Sequence, residues 1–240
     1  MEILVENPYN RPRKQLLKHG LNVLGELCSF AFLWRLSQIL DYLWSGHWFR
    51  SKTIALPRRS DSKAQVFEAA ACELRDCQVL YLEFGVAFGD SIRAWSQLLR
   101  NPGSILHGFD SFEGLPEAWD GHEKGDISAG GVVPTIDDDR VTFFKGWFSE
   151  TLAHYIPPKY ERLFINCDAD LYSSTRTVLA HFLPHIQQGV YLYFDEFQSH
   201  EHEMKAFDEF LAETGLQFEV VAATRGLEHV LFRCTGRSPS

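Results

Sequence analysis

Helix-like and strand-like hydrophobic patterns alternate along this chain from about residue 60 onward. The strand patterns span 78–84, 104–109, 141–144, 162–167, 189–195, 217–223 and 228–233, and the helix patterns span 62–75, 90–100, 173–187 and 201–214. This alternation predicts an α/β fold with a mostly parallel sheet and helices on both faces. A short link that contains Thr224, Arg225 and Gly226 joins the last two strand patterns, which predicts a terminal antiparallel hairpin.

A different kind of segment precedes this alternation, and a polar break over 58–63 separates the two. Apolar residues recur at steps of three and four over about 24–43, as in an amphipathic helix, but three charged residues interrupt them too often for a membrane span. We therefore expect an N-terminal helical extension over 1–60 and a main domain over 61–240. Such a helix packs on its own domain or on a second subunit, as in a homodimer, and contact with a membrane surface is the alternative.

Charge and cysteine usage narrow the function classes. The net charge is −9 and no Lys/Arg-rich run is present, so the chain lacks the basic surface that nucleic-acid binding needs. Five cysteines without a CxxC pair fit neither a disulfide framework nor a zinc knuckle. The first residues lack the order of a secretory signal. A cytoplasmic protein with a small-molecule partner is expected.

A glycine turn follows the first strand pattern. Gly85 and Gly89 allow the backbone to turn tightly beneath a ligand, although this spacing alone is also common for steric reasons. Asp110 ends the second strand, where a carboxylate can hold a ribose diol. Glu83 precedes the turn; its charge would repel a pyrophosphate but would suit the ammonium of an amino acid. A nucleoside that carries an amino acid is S-adenosylmethionine.

Further acidic residues end the later strand patterns. Asp168 follows one apolar run, and Asp195 with Glu196 follows the next. Because the carboxyl ends of parallel strands meet at one edge of a sheet, these acids are expected to converge there and to suit Mg²⁺. Helix capping is the structural alternative, and it applies most directly to Asp170.

The glycine-rich segment from Ser111 to Arg140 shows little periodicity. Loops of that length usually cover active sites or are disordered, and we expect the part over 111–134 to close over the substrate. His122 lies in this loop, where it is either a general base or a surface histidine.

Four stretches of the chain resemble the macrocin O-methyltransferase family. They are FDSFEGLPEAW from Phe109, KGWFSETL from Lys145, DADLYSST from Asp168 and FDEF from Phe194, within a resemblance over about 75–233. The resemblance implies a class I methyltransferase fold, which is a Rossmann-like sheet of seven strands with the seventh antiparallel beside the fifth. It also implies S-adenosylmethionine, a divalent metal and a sugar hydroxyl as acceptor.

The resemblance also assigns roles to individual positions. The implied cofactor-binding residues are Glu83, Gly85, Gly89, Ser91, Asp110, Ser111, Phe112 and Trp147. The implied metal ligands are Asp168, Asp195 and Glu196, and Glu196 departs from the family, which usually has aspartate there. Asp168 and His122 are the predicted catalytic residues.

The sequence therefore predicts an S-adenosylmethionine-dependent, Mg²⁺-assisted O-methyltransferase that acts on a hydroxyl of a sugar or sugar-bearing small molecule. A metal-dependent hydroxylase or hydrolase on the same fold is one alternative. A non-catalytic cofactor-binding or interaction protein is another.

Overall fold

The computed structural model describes residues 12–237, which divide into two compact units, one up to Leu40 and one from Asp41. Helix α1 (Pro12–Leu27) belongs to the first unit, and α2 (Phe30–Ser51) contributes to both. The single amphipathic helix expected here is thus two helices. Among residues 12–237, no helix has the length and apolar character needed to cross a membrane.

The larger unit begins before the predicted domain start at residue 61. Trp48 and Phe49, near the end of α2, are buried in its core, and Trp48 Nε1 donates a hydrogen bond of 2.7 Å to Asp208. The end of α2 is therefore part of this core. The polar break after it in the sequence does not mark the boundary.

The larger unit contains a seven-stranded sheet and five further helices among the described residues. The strands are β1 (Val79–Phe84), β2 (Ile105–Asp110), β3 (Val141–Lys145), β4 (Arg162–Cys167), β5 (Tyr191–Phe194), β6 (Leu216–Ala223) and β7 (Val230–Arg237). The helices are α3 (Lys63–Leu74), α4 (Asp90–Leu98), α5 (Phe148–Thr151), α6 (Tyr172–Phe182) and α7 (Glu203–Thr214). Short 3₁₀ turns over Leu152–His154 and Leu183–His185 follow α5 and α6.

The sheet has the strand order β3-β2-β1-β4-β5-β7-β6. Strands β1 to β5 pair in parallel, and β7 runs antiparallel to both β5 and β6. The mostly parallel sheet, the terminal hairpin and the position of the seventh strand beside the fifth are all confirmed.

Strand β1 is buried along its whole length and carries large side chains on both faces. On one face Tyr81 stacks between Trp95 and Phe164, with ring centroids 5.2 Å and 5.5 Å away. On the other face Phe84 stacks on Phe109 of β2 at 4.8 Å. Because alternate residues of a strand point to opposite faces, β1 anchors both helical layers and fixes the carboxyl edge of the sheet.

Candidate active site

A cavity of about 290 Å³ opens at the carboxyl edge of the sheet. Its walls come from the ends of β1 to β4, from the starts of α5 and α6, and from the loop after β2. The lining residues are Gly85, Ala87, Asp110, Ser111, Gly114, Leu115, Pro116, Ile127, Gly146, Trp147, Phe148, Ser149, Asp168, Ala169, Asp170, Ser173, Ser174 and Thr177.

The floor of the cavity is the turn that begins at Gly85. This residue has φ +93°, and a Cβ atom there would lie 1.7 Å from the carbonyl oxygen of Asp168. Its N–H donates to Phe109 O at 3.0 Å, and Asp168 N–H donates to Phe84 O at 2.9 Å. Glycine is required because the backbones after β1 and β4 touch at this point.

Asp110 holds the same turn from the end of β2. Its Oδ2 accepts the N–H groups of Val86 and Ala87, each at 2.8 Å, and its Oδ1 accepts that of Phe112 at 2.6 Å. A carboxylate has about four lone-pair sites, so about one is left for a ligand hydroxyl. Asp110 is thus first a clamp on the turn, and it still borders the cavity.

Glu83 lies beneath the cavity and does not line it. Its side chain is buried, and Oε2 accepts a short hydrogen bond from Tyr81, whose hydroxyl in turn accepts one from Asn166 Nδ2 at 2.9 Å. The other oxygen, Oε1, has no partner within the described protein. Burial raises the pKa of Glu83 to about 8.

The remaining predicted cofactor residues separate into two groups. Ser111 and Trp147 line the cavity beside Gly85 and Asp110. Gly89, Ser91 and Phe112 do not: a Cβ on Gly89 would meet the Pro134 ring at 3.1 Å, and the side chains of Ser91 and Phe112 are buried. These three residues shape the turn and the core behind the cavity wall.

His122 does not reach the cavity either. Its ring stacks on Trp119, and Nδ1 lies 3.4 Å from Asp126 Oδ2 within the same loop. In this structure His122 is a half-exposed loop residue, as in the surface alternative considered for it.

Asp168 and Asp195 do come together, at the ends of neighbouring strands β4 and β5. The ammonium of Lys63 lies between them, with Nζ 2.5 Å from Asp195 Oδ1 and 3.4 Å from Asp168 Oδ2. Asp195 Oδ1 also accepts the Tyr193 hydroxyl at 2.6 Å and lies 3.1 Å from His229 Nδ1. The convergence predicted for these two acids therefore holds, with a lysine between them.

This arrangement shifts the two carboxyl groups in opposite directions. Burial, together with the nearby Asp195 charge, raises the pKa of Asp168. Burial alone would also raise the pKa of Asp195, but His229 and Lys63 outweigh it and hold that pKa well below its usual range. The pKa of Lys63 is raised because the two aspartates outweigh the effect of its burial, so the lysine stays protonated.

The third implied metal ligand has a hydrogen-bond partner of its own. Glu196 Oε2 accepts a hydrogen bond of 2.5 Å from Gln198 Nε2. No group of three or more His, Cys, Asp or Glu side chains within residues 12–237 is arranged to hold a metal ion. With Lys63 between the two aspartates and Glu196 bonded to Gln198, the acids do not fit a divalent metal as they stand.

Asp170 is a site residue whose role the capping interpretation missed. The N-cap of α6 is Leu171, and Asp170 instead lines the cavity in a left-handed conformation, with φ +57°. Burial, and then the nearby Asp168, raise its pKa to about 8. Its place inside the DADLYSST stretch was the only sequence signal for a role in the site.

The loop after β2 is folded against the cavity. Leu115 and Trp119 pack with Leu171 in a small buried cluster, and Leu115 N–H donates to Asp126 O at 2.9 Å. Ser173 at the start of α6 donates to Glu117 at 2.9 Å. The loop thus forms one wall of the cavity.

Comparisons with known proteins bear on the family and on the fold. Residues 134–224 match the family model described as Macrocin-O-methyltransferase (TylF). The solved structure of the O-methyltransferase NovP is 21% identical, covers 72% of this chain and 77% of its own, and has a TM-score of 0.54. CalS11, a calicheamicin methyltransferase, is 18% identical over 97% of each chain, with a TM-score of 0.52. No curated protein matches the chain in sequence.

A third structure, named cmcI-D160 Mg-SAM, is 17% identical over 73% of each chain, with a TM-score of 0.50. Together these structures show that the fold is that of a class I methyltransferase. The family model confirms the resemblance to the macrocin O-methyltransferase family over residues 134–224.

Proposed function

We propose that this enzyme transfers the methyl group of S-adenosylmethionine to a hydroxyl of a sugar or of a sugar-bearing small molecule. The family match supports this class of reaction. The observation that carries the proposal is that the Gly85 turn, Asp110 and Asp168 at the end of β4 all line the same cavity. A turn of the kind that binds nucleosides and a carboxylate thus border one space.

The cofactor would lie along the glycine turn. Gly85 presents bare backbone to the cavity, and Asp110 has about one lone-pair site left for a ribose hydroxyl. The Trp147 ring borders the same cavity and offers an apolar surface to the adenine. Glu83 lies beneath the turn and does not line the cavity, so it would support the turn rather than contact the cofactor.

The transfer breaks the bond between sulfur and the methyl carbon and forms a bond from that carbon to the acceptor oxygen. The hydroxyl proton must leave as the ether forms, and we assign its acceptance to Asp168 because this carboxyl lines the cavity, whereas His122 does not. The remaining contribution of the protein is alignment of oxygen, carbon and sulfur in one line.

Magnesium is the part of the sequence prediction that this arrangement supports least. The name of the cmcI structure combines Mg with SAM, which favours a metal in that protein. In this chain Asp168 and Asp195 pair with Lys63 instead, so no step of the proposed reaction is assigned to a metal. The homodimer, the membrane-surface contact of the N-terminal helix and the cytoplasmic location stay predictions.

Calorimetric titration with S-adenosylhomocysteine tests the cofactor assignment, with NAD as a control ligand. We expect micromolar binding of S-adenosylhomocysteine and none of NAD. Asp110→Asn should weaken that binding by about tenfold or more, because it disturbs both the turn and the ribose contact. Asp137→Asn, an exposed aspartate of the following loop, is the matched control and should bind normally. Absence of S-adenosylhomocysteine binding would remove the proposal and favour a hydrolase, a hydroxylase or a non-catalytic protein.

A further inference from the structure

Lys63 reaches the site from the first residue of α3. Ser62 caps this helix and its Oγ accepts the N–H of Gln65 at 3.4 Å, which fixes where the helix begins. From there the Lys63 side chain extends to the aspartate pair, and its side chain is only 30% exposed. The Lys63 ammonium is therefore a partly buried member of the acidic cluster and not a solvent-exposed ion pair.

Two aromatic rings flank the lysine. Nζ lies 5.7 Å from the ring centroid of Phe67 and 5.9 Å from that of Tyr193, and both rings are buried. Each ring attracts a cation over its face, which keeps the ammonium beside the carboxylates. The Tyr193 hydroxyl also donates to Asp195, so the ring and the carboxylate are held in one arrangement.

We infer that Lys63 supplies, between Asp168 and Asp195, the positive charge that a divalent ion would otherwise supply, so that Lys63 and a divalent ion compete for these two carboxylates. Lys63 is thus a positioning residue for Asp168, the carboxyl that receives the proton in the proposed reaction.

Space and charge both oppose joint occupancy. A magnesium ion needs oxygen ligands at about 2.0–2.1 Å. The Lys63 nitrogen already lies 2.5 Å from Asp195 Oδ1 and 3.4 Å from Asp168 Oδ2, the two oxygens that would bind a magnesium ion. An ion at that distance would face the lysine charge at close range, where repulsion is strong because the site is largely withdrawn from water.

Removing the lysine charge should therefore create a metal site. The test is calorimetric titration with Mn²⁺ alone, on the full chain, for wild type and for Lys63→Met. We expect Lys63→Met to bind Mn²⁺ about tenfold or more tightly than wild type. Lys63→Arg, which keeps the charge, should bind Mn²⁺ as weakly as wild type. Adding Asp195→Asn to Lys63→Met should abolish the gain, which locates the ion at this pair.

Lys52→Met is the matched control, because Lys52 also pairs with an aspartate, Asp208, outside the cavity. It should leave Mn²⁺ binding unchanged. Equal Mn²⁺ affinity in wild type and Lys63→Met, whether tight or weak, would overturn the inference. If circular dichroism shows that Lys63→Met does not fold, Lys63→Gln takes its place in the same comparison.

This inference rests on the proposed function only for the role of Asp168. The Mn²⁺ titration needs neither cofactor nor acceptor, so its result is independent of S-adenosylhomocysteine binding. A failure of the cofactor assignment and a failure of the lysine assignment are thus read from separate experiments.

Discussion

At Gly85 the backbone after β1 passes so close to that after β4 that a side chain has no room. Gly189 has almost the same φ, +91° against +93°, but a Cβ there would meet nothing within 4 Å. The two glycines therefore separate the effect of a left-handed backbone from the effect of the contact.

We expect Gly85→Ala to lower the free energy of unfolding by clearly more than Gly189→Ala does. Strain in the left-handed region costs about 1–3 kcal/mol in either variant, and the backbone collision adds to it only at Gly85. Urea unfolding of both variants measures the difference. Equal losses would mean that the contact with the Asp168 carbonyl does not constrain the turn.

The buried Glu83 predicts a pH dependence of stability. Its pKa is about 8 in the folded chain, whereas the ordinary pKa of a glutamate side chain is 4.5, so the folded state keeps a proton that the unfolded chain releases. Between about pH 5 and pH 8 this residue should therefore reduce the free energy of unfolding as pH rises, by at most about 1.4 kcal/mol per pH unit.

Glu83→Gln should flatten that part of the profile, whereas Glu123→Gln, at an exposed loop position, should not. Urea unfolding at several pH values, without ligand, makes the comparison. If the slope of the Glu83→Gln variant equals that of wild type, Glu83 is ionised in the folded protein.

Single residues also show what the sequence could and could not reveal. Asp110 was predicted as a site residue because a strand end is visible in a sequence. Its hydrogen bonds to the backbone of Val86 and Ala87 could not be predicted, because a bond to a backbone group requires no particular residue type at the other end. Lys63 stands 105 positions before Asp168, where the polar break meets the helix pattern over 62–75, and neither pattern indicates a role in the site.

At the scale of elements, the loop over 111–134 is held by a few side chains rather than by regular structure. Trp119, packed with Leu115 and Leu171, is the largest of them. Trp119→Ala should loosen the loop, because it removes most of the small cluster that joins the loop to the start of α6.

Lys124 is the one lysine or arginine in 111–134, so tryptic cleavage after it reports on this loop. We expect Trp119→Ala to speed that cleavage by about tenfold or more, because proteolysis follows local opening. Ile156→Ala, at a residue 86% exposed and outside the loop, should cleave at the wild-type rate. Unchanged cleavage in Trp119→Ala would show that other contacts hold the loop.

Element types and order were predictable because hydrophobic period and strand length are local properties of the sequence. Helix ends were less predictable, as α6 shows. The helix pattern covers 173–187, but the α-helix ends at Phe182 and a 3₁₀ turn that contains Pro184 follows it. The break between α1 and α2 at Cys28 and Ser29 has no glycine or proline to announce it.

At the scale of the whole molecule, the division at Asp41 makes a test of the domain boundary. A chain that starts at residue 41 should keep the unfolding free energy of the full chain. A chain that starts at residue 61 lacks Trp48 and Phe49 and should lose about 3–6 kcal/mol, at roughly 1.5–3 kcal/mol for each buried side chain. Urea unfolding of both chains measures this. Equal stability would restore the boundary predicted from the sequence.

The place of β7 has a consequence for how the enzyme is made. Of the seven strands it leaves the ribosome last, yet it lies inside the sheet between β5 and β6, which pair with no other strand on those sides. Until residues 230–237 emerge, a nascent chain exposes two open strand edges, which are templates for aggregation. Messages that end prematurely, even just before β7, should therefore yield aggregates for proteases and not smaller working enzymes.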